Sequence, residues 1–422
     1  MATDCIVGLD IGTTKVCAIV AEVDESGVAN IIGLGHSPSH GIRKGVVIDI
    51  DGASLAIEDA VTKARRMTGY EIHSVVVGVT GEHIASLNSR GVVAVTHPSR
   101  EITVEDLERV QDQARVIVLP PDREIIHAIP RSYSIDGQGG IRYPVGMSGT
   151  RLEVETHIVT GAVTFIQNVA KCVHKAGLSV EATVLEPIAT GEAVLLPAER
   201  DLGVILADIG GGTTDIAIFV DGDILYSAVI PVGGNHVTRD ISVGLRVSHE
   251  EAERVKLKYG ACLFNLVGSP ELDTFEVTPL GFEEPRPIPR RILVEIIHPR
   301  MDELFTLVRQ EIMKSGYYNL LPAGVVLSGG GSEIAGGTQL CQQVTGMPTR
   351  IGAPRDVVGL SDALKSPIYA TGVGLVLYGV HHAQYSSSGR DGYASRSATG
   401  IFRLGSFMKS IQAWFARHMG VS

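Results

Sequence analysis

The segment VGLDIGTTK at residues 7–15 returns in altered form as LADIGGGTTD at residues 206–215. In each copy an apolar run leads to an aspartate, then to a turn of glycine and threonine, and then to a second run rich in β-branched residues. This order predicts strand, tight turn and strand, twice in one chain. The repeated aspartates, Asp10 and Asp208, lie 198 positions apart. The sequence therefore predicts an α/β protein with two large lobes of similar plan.

The composition sets the broad class of protein. The chain has 422 residues, of which 44% are apolar and 20% charged, ordinary values for a protein with large buried cores. Its formal net charge of -11 argues against a general surface for nucleic acid. Five cysteines without a CxxC pair argue against a disulfide framework or a zinc ribbon and favour a reducing compartment. With no predicted signal peptide and no run long enough to span a membrane, we expect a cytosolic, multidomain protein.

Helical spacing and shifts in composition divide the chain further. Apolar residues between Leu55 and Met67 predict a helix that ends at Gly69, and Thr103 with Asp106 predicts a capping box at the start of another. Pro279, Pro285, Pro287 and Pro289 predict a loop or edge region at 267–290. The predicted parts are a first-lobe core (1–83, 166–199 and 365–385), an inserted α+β module (84–165), a second-lobe core (200–228 and 300–364), a second-lobe outer subdomain (229–299) and a flexible linker (386–400).

The two glycine and threonine turns have the composition of a phosphate site. Glycines let backbone N–H groups approach phosphate oxygens, and threonine hydroxyls add further donors. Asp208, at the end of the preceding strand, is predicted to hold a hydrated Mg²⁺ beside those phosphates. Because a strand rather than a helix follows each turn, the P-loop and dinucleotide motifs do not fit. A hairpin turn without a ligand is the alternative for one copy, but two matching copies favour phosphate binding.

These motifs resemble the two phosphate motifs of the actin, sugar-kinase and DnaK-chaperone superfamily. A third segment, VLSGGGS at residues 326–332, resembles the adenosine motif of that superfamily. The resemblance implies a two-lobed actin-like fold that binds ATP and Mg²⁺, with Asp10 and Asp208 as the metal-binding residues. It assigns nucleotide contacts to Gly12, Thr13, Thr14, Lys15, Gly210, Gly211, Gly212, Thr213, Gly233, Gly234, Glu253, Lys256, Gly329, Gly330, Gly331 and Ser332.

Two phrases, IIHPRMDEL at 296–304 and RIGAP at 350–354, narrow the resemblance to FtsA, the bacterial cell-division actins. That family implies a polymerising, ATP-binding protein that ties the tubulin-like FtsZ ring to the cytoplasmic face of the inner membrane at mid-cell, and helps recruit other division proteins. The same resemblance assigns the docking of the FtsZ C-terminal peptide to Arg286, Arg290, Arg300 and Glu303. A solvated basic edge with local salt bridges is the alternative for these residues.

Catalysis depends on one candidate acid. Glu186 matches the position of a water-orienting acid in bacterial actins, 22 residues before Asp208; the alternative is an acid at a helix N-terminus before Pro187. Lys15 neutralises phosphate charge or is simply solvated. We therefore expect slow ATP turnover at most, serving as a switch. A sugar or acetate kinase would need a catalytic aspartate that we do not find, a DnaK-type chaperone would need a further domain, and a PilM-like pilus-assembly protein is the nearest rival.

Residues 401–419 are predicted to form an amphipathic helix on a membrane surface. At about 100° per residue, one face carries Leu404, Phe407, Met408, Ile411, Trp414 and Phe415. The chain's only tryptophan lies here, and no acidic residue follows Asp391 although four basic residues do. An apolar stripe beside cations is typical of a helix lying on anionic lipid. The alternative is a final helix docked on the body of the protein.

Overall fold

The computed structural model describes residues 5–24, 28–355 and 357–387. Its strands are β1 Cys5–Ile11, β2 Lys15–Val23, β3 Ala29–Pro38, β4 Ile42–Arg43, β5 Val46–Val47, β6 Ser74–Val79, β7 Ala85–Ala94, β8 Arg123–Ile135, β9 Gln138–Ile141, β10 Arg151–Ala162, β11 Ser179–Leu185, β12 Val204–Ile209, β13 Thr214–Val220, β14 Asp223–Ile230, β15 Thr274–Val277, β16 Arg286–Pro289, β17 Val325–Ser328, β18 Thr349–Ile351 and β19 Val358–Gly359. Its helices are α1 Ile50–Thr68, α2 Val104–Arg115, α3 Val163–Lys175, α4 Glu186–Val194, α5 Pro197–Leu202, α6 Gly234–Leu245, α7 His249–Tyr259, α8 Arg290–Ser315, α9 Gly337–Thr345 and α10 Ala370–Ser387. The predicted membrane helix at 401–419 lies outside the described residues, as does the predicted linker beyond Ser387.

Two sheets share one strand plan. In the first lobe the order is β11-β6-β1-β2-β3-β19, and in the second it is β14-β13-β12-β17-β18. In each, three consecutive strands form an antiparallel meander, one later strand pairs in parallel with the first strand of the meander, and a further strand pairs in parallel with that later strand. The chain thus has the α/β, two-lobed architecture that the internal repeat predicts, and the prediction of two lobes of similar plan is confirmed.

Helices cover both faces of each sheet. Apolar residues of α1 and α3 pack on one face of the first sheet, and those of α6, α8 and α9 pack on one face of the second. A third cluster holds α4 and α10 against side chains from both sheets. These two helices therefore lie between the lobes and join them, because burying apolar surface from both sides is favourable.

The inserted module is a four-stranded sheet with one helix. Its strand order is β7-β10-β8-β9, and α2 packs on it through Leu107, Val110 and Ala114. The predicted capping box is present: the Asp106 amide donates to Thr103 Oγ1 over 3.2 Å, and the Thr103 amide donates to Asp106 Oδ2 over 3.0 Å. Such a cap satisfies amides that a helix start leaves without partners.

Some local expectations are corrected by the structure. Helix α1 ends before Gly69 as predicted, with the glycine at φ 74°, yet Leu55 and Met67 of its apolar set are 66% and 51% exposed. Leu55 lies about 140° around the helix from the buried Ala60, and Met67 lies in the last turn. The proline-rich segment 267–290 contains a short hairpin, β15 and β16. Helix α8 continues through Pro299, across the subdomain boundary predicted between 299 and 300.

Candidate active site

The two glycine and threonine turns face each other across the lobes. Each turn is closed by one backbone hydrogen bond, from the Gly12 amide to Lys15 O and from the Gly210 amide to Thr213 O, both 2.9 Å long. A Cβ added to Gly211 would lie 2.5 Å from Thr14 Cγ2, and one added to Gly212 would lie 2.6 Å from Thr13 Oγ1. Glycine is therefore required here by the close approach of the first turn. The structure brings the two predicted phosphate motifs together.

Buried carboxyl groups lie beside these turns. Asp10, Glu186, Asp208 and Asp215 are each at most 9% exposed. Lys15 Nζ lies 3.1 Å from Asp10 Oδ2, which pairs the two charges within the site. Burial opposes the charge on Lys15, but the Asp10 carboxylate outweighs that effect and raises the lysine pKa to about 12. The lysine therefore stays charged, and the first of the two alternatives considered for it, charge neutralisation, fits its position.

Asp208 is held by two threonines from the helices between the lobes. Thr190 of α4 and Thr371 of α10 both donate to Asp208 Oδ2, over 2.6 Å and 3.1 Å. Burial raises the pKa of this carboxyl, and the nearby Asp10 carboxylate adds to the shift. A buried carboxylate of this kind gains from a nearby cation, because a cation offsets the cost of keeping its charge away from water.

Asp215 was not assigned a role by the sequence, although it ends the DIGGGTTD motif. It is 3% exposed and accepts hydrogen bonds from Thr213, at 3.4 Å, and from Thr80, which follows strand β6 of the first lobe. Burial raises its pKa from 3.8 to about 7. The sequence gives one indication that this residue belongs to the site: it directly follows the threonine pair, at a strand position next to the turn.

Glu186 lies at a helix start and also among the buried carboxyls of the cleft. It opens helix α4, with Pro187 in the first turn, so it is an acid at a helix N-terminus. It also lies within the carboxyl cluster, and a Cβ added to Gly78 would lie 3.0 Å from its Cγ. Burial raises its pKa well above the ordinary value, and the charges of Asp10, Asp215 and Asp208 raise it further. It is therefore a buried acid rather than a solvated helix cap.

The third motif packs against the second turn. A Cβ added to Gly329, which has φ 72°, would lie 2.3 Å from Asp208 Oδ1, and one added to Gly331 would lie 2.3 Å from Ile209 Cγ2. The Gly234 amide, at the start of α6, donates to Gly210 O over 2.9 Å. The predicted adenosine motif and the Gly233–Gly234 turn thus meet at the carboxyl end of β12. Only glycine allows these backbones to approach so closely.

Three other predicted contacts lie around this group. Lys256 Nζ pairs with Glu253 over 2.7 Å and donates to the Gly234 carbonyl over 3.3 Å. These two residues therefore lie beside the start of α6, and their contact with the adenosine stays a prediction. Ser332 is 1% exposed and its hydroxyl donates to Gly329 O over 2.7 Å. It supports the turn and offers a ligand almost no surface, so its assignment as a ligand contact changes to a supporting role.

The arginines assigned to a peptide partner are engaged within the protein. Arg286 stacks on the Phe282 ring at 3.7 Å, and Arg290 donates to Tyr259 O over 2.7 Å. Arg300 binds Asp240 of α6 in a bidentate manner, at 2.6 Å and 3.1 Å, and also pairs with Glu303. Glu303 remains 51% exposed at its side chain. Local salt bridges, the alternative given above, are present at Arg300.

The donor set of the cleft fits a hard cation shared with a phosphate group. Within the described ranges, no three or more His, Cys, Asp or Glu side chains are arranged to hold a metal by themselves. Carboxylate oxygens such as those of Asp10 and Asp208 are the ligands that Mg²⁺ prefers, and Mg²⁺ usually completes its shell with waters and phosphate oxygens.

Of the helices that the structure describes, none has the length and hydrophobicity to cross a membrane.

The fold and the paired turns define an actin-like protein. Among solved structures the chain resembles PilM in the PilM-PilN type IV pilus biogenesis complex, with TM-score 0.64 and 20% identity over 89% of this chain and 98% of that one. It also resembles MreB5 of Spiroplasma citri bound to ADP, with TM-score 0.56 and 16% identity over 92% and 99%. At these identities the likeness shows the fold alone, and it confirms the predicted actin-like fold class.

Sequence relatives and family models identify the family. The model described as Cell division protein FtsA matches residues 205–374, and the SHS2 domain inserted in FTSA matches residues 81–160. The Cell division protein FtsA of Pseudomonas aeruginosa is 47% identical over 89% of each chain, and that of Escherichia coli is 37% identical over 99% of each. The chain belongs to the FtsA family of cell division proteins. These sequence matches favour the FtsA family over the PilM-like alternative.

Proposed function

We propose that the chain binds ATP with Mg²⁺ between its two phosphate turns. The observation that carries this proposal is the meeting of the turns at Gly12–Lys15 and Gly210–Thr213 beside the buried carboxyls of Asp10 and Asp208. Backbone amides of the turns and the Lys15 ammonium would bind the phosphate oxygens. Asp10 and Asp208 would hold the Mg²⁺, which supplies charge neutralisation for the phosphates when bound.

The adenosine end of the nucleotide would lie on the opposite side of the second turn. Gly329 and Gly331 pack closely on the carboxyl end of β12, and Glu253 with Lys256 borders the start of α6. Glu186 would orient the attacking water, since it is buried among the carboxyls at the floor of the cleft. We expect turnover to be slow at most and to serve as a conformational switch.

We further propose that the protein polymerises and ties the FtsZ ring to the cytoplasmic face of the inner membrane at mid-cell. Family membership supports this role, together with the apolar stripe and the basic residues of 401–419. The second-lobe segment that contains Arg286, Arg290, Arg300 and Glu303 would receive the FtsZ C-terminal peptide. Other division proteins would then be recruited to the same membrane site.

The nucleotide proposal is tested by calorimetric titration of the pure protein with ATP, with and without Mg²⁺. Asp208→Ala is expected to weaken Mg-ATP binding by about 1.5–3 kcal/mol, because a charge-linked contact is lost. The matched control is Asp362→Ala, an exposed carboxylate just after β19 that pairs with Lys365. Unchanged affinity in Asp208→Ala, or equal losses in both variants, would contradict the assignment.

A further inference from the structure

A short hairpin of the first lobe borders both phosphate turns. Strands β4 and β5 form it, and the residues of its turn are Lys44 and Gly45. The Gly45 amide donates to Thr13 Oγ1 of the first phosphate turn over 3.3 Å. A Cβ added to Gly212 of the second phosphate turn would lie 2.9 Å from Lys44 Cα. The backbone of Lys44 therefore lies at the place where the two phosphate turns meet.

The backbone conformation of Lys44 is an unusual one for a lysine. Its φ is 50° and that of Gly45 is 73°, and positive φ at both central residues is the pattern of a type I′ hairpin turn. Asparagine, aspartate and glycine are the usual residues at the first of these positions, because they tolerate the left-handed region. The geometry of the turn therefore gives no reason for a lysine here. Residues held in such a sparsely populated region cluster at functional sites, which directs attention to the lysine side chain.

The ammonium group of Lys44 is accessible to a ligand. Its Nζ lies 3.2 Å from Oε1 of Glu82, and the two side chains are 41% and 54% exposed. An exposed ion pair of this kind is weak, because water screens both charges. Lys15 differs, since its Nζ is bound to the buried Asp10 carboxylate over 3.1 Å. Lys44 can therefore change its partner without leaving a buried carboxylate uncompensated.

The hairpin lies at the end of the cleft where the last phosphate of ATP is expected. A Cβ added to Gly45 would lie 2.9 Å from Thr80 Cγ2. Thr80 follows β6, the strand whose Gly78 borders Glu186, the acid proposed to orient the attacking water. That water attacks the last phosphate. The segment assigned to adenosine, 329–332, packs instead on the end of β12 in the second lobe. The position of the hairpin therefore matches the terminal phosphate rather than the adenosine.

We propose that Lys44 binds the terminal phosphate of ATP and makes the site prefer ATP to ADP. The inference rests on the proposed binding of Mg-ATP between the phosphate turns. A phosphate oxygen at the Gly212 amide would lie next to the Lys44 backbone, within reach of its flexible four-carbon side chain. The ammonium would leave Glu82 and bind the negative charge that ATP carries beyond that of ADP. Only the side chain has to move, because the backbone of Lys44 already lies at the turns.

The assignment is tested by calorimetric titration of the full chain with Mg-ATP and with Mg-ADP. Lys44→Asn removes the charge and gives the hairpin Asn-Gly, the preferred pair of a type I′ turn, so the variant should fold with an equal or higher Tm. Its affinity for Mg-ATP should fall about tenfold, as for loss of one charge-assisted hydrogen bond, whereas its affinity for Mg-ADP should change by less than about twofold. Lys44→Arg keeps the charge and should keep the preference for ATP.

Two further variants separate this contact from a general effect of charge. Glu82→Gln removes the competing partner of Lys44, so affinity for Mg-ATP should rise about threefold, with little change for Mg-ADP. Lys63→Gln is the control, because Lys63 is 45% exposed and pairs with Asp59 on helix α1, as Lys44 pairs with Glu82. It should change neither affinity.

The outcomes distinguish the role of Lys44 from the proposed function. If the unmodified chain binds Mg-ATP but Lys44→Asn loses the same affinity for both nucleotides, or loses none for either, the assignment of Lys44 is wrong while the proposed function stands. If the unmodified chain binds neither nucleotide, the proposed function fails, and the assignment of Lys44 fails with it.

Discussion

Asp215 and Glu186 are acids that the fold keeps away from water. The unfolded chain holds Asp215 at an ordinary pKa, whereas burial raises its pKa in the folded state from 3.8 to about 7. The pKa values of Glu186 and Asp208 are raised in the same direction, chiefly by burial. The folded state therefore binds these protons more tightly than the unfolded state does. The contribution of Asp215 to stability is therefore present at low pH and is lost as pH rises through about 7, and Glu186 and Asp208 act in the same direction.

A pH-dependent stability follows for the unmodified chain. Asp215→Asn replaces the acid by a neutral group of the same shape, so its Tm relative to the unmodified protein should increase between pH 5 and pH 8, by a few degrees. Thermal unfolding across that range measures the effect. Asp362→Asn is the control, because that exposed carboxylate has its pKa lowered by Lys365. Parallel Tm profiles for Asp215→Asn and the unmodified protein would contradict the burial argument.

Glu186 allows a test of turnover apart from binding. Glu186→Gln keeps the shape of the neutral acid, so ATP affinity should stay unchanged while phosphate release falls by about 100-fold, as for loss of one acid-base group. Glu192→Gln on the same helix is the control, since Glu192 pairs with Arg200 over 2.9 Å instead of joining the carboxyl cluster. Equal turnover by Glu186→Gln and the unmodified protein would assign water orientation to another residue.

At the scale of elements, Arg300 connects two helices of the second lobe. It lies on α8 and binds Asp240 on α6, so part of its charge is already neutralised. A peptide partner would have to compete with Asp240 or bind the exposed part of the guanidinium. The side chain is 27% exposed. The pair therefore limits how strongly this surface can attract an acidic ligand.

A charge-reversal variant at Arg300 distinguishes docking of the peptide from the pairing of α8 with α6. Arg300→Glu should reduce binding of the FtsZ C-terminal peptide about tenfold and make the remaining binding less sensitive to salt, because exposed charge pairs are screened. Fluorescence anisotropy of a labelled peptide at two salt concentrations measures both quantities.

The control for Arg300→Glu is Asp240→Asn, which breaks the same helix pair but leaves the arginine positive. It should keep or increase peptide affinity. If both variants lost the same amount of peptide affinity, the Arg300–Asp240 pair would act only through folding. If neither variant changed peptide affinity, the docking surface would lie elsewhere.

At the scale of the whole molecule, the body and the C-terminal segment carry opposite charge. Residues 392–422 contain four basic and no acidic residues, whereas the chain as a whole has a net charge of -11. One such segment would bind an anionic surface weakly, since each cation contributes about 1 kcal/mol near the membrane. A filament presents many segments at high effective concentration and would bind by avidity.

Trp414 is the most informative position for that anchor. Trp414→Glu should release the protein from anionic vesicles in a sedimentation assay while leaving ATP binding unchanged, because it places a charge on the apolar stripe. The control is Ala413→Glu, which adds the same charge on the opposite side of the predicted helix. Sedimentation of Trp414→Glu with lipid, or release by both variants alike, would contradict a membrane-surface helix with this orientation.

The sequence alone determined the elements that rest on local chemistry. The two turns were predictable because glycine, threonine and an aspartate follow an apolar run in both copies, and such turns depend on backbone freedom within a few residues. The start of α2 was predictable for a similar reason, since Thr103 and Asp106 cap their own helix. Leu55 was misleading, because periodicity gives an apolar face but does not say which side chains the neighbouring sheet covers.

Only the tertiary structure decided how distant residues share the cleft and the contact between the inserted module and β14. Thr80 and Asp215 are separated by 135 positions, and Ser86 and Ser227 by 141. No local pattern marks either pair. The burial that raises the pKa of Asp215 and Glu186 likewise comes from both lobes together. Turns and caps depend on bonds within one segment, so sequence specifies them directly; partners across a cleft depend on how two sheets and the helices between them pack, and packing sums many weak contacts that no single motif encodes.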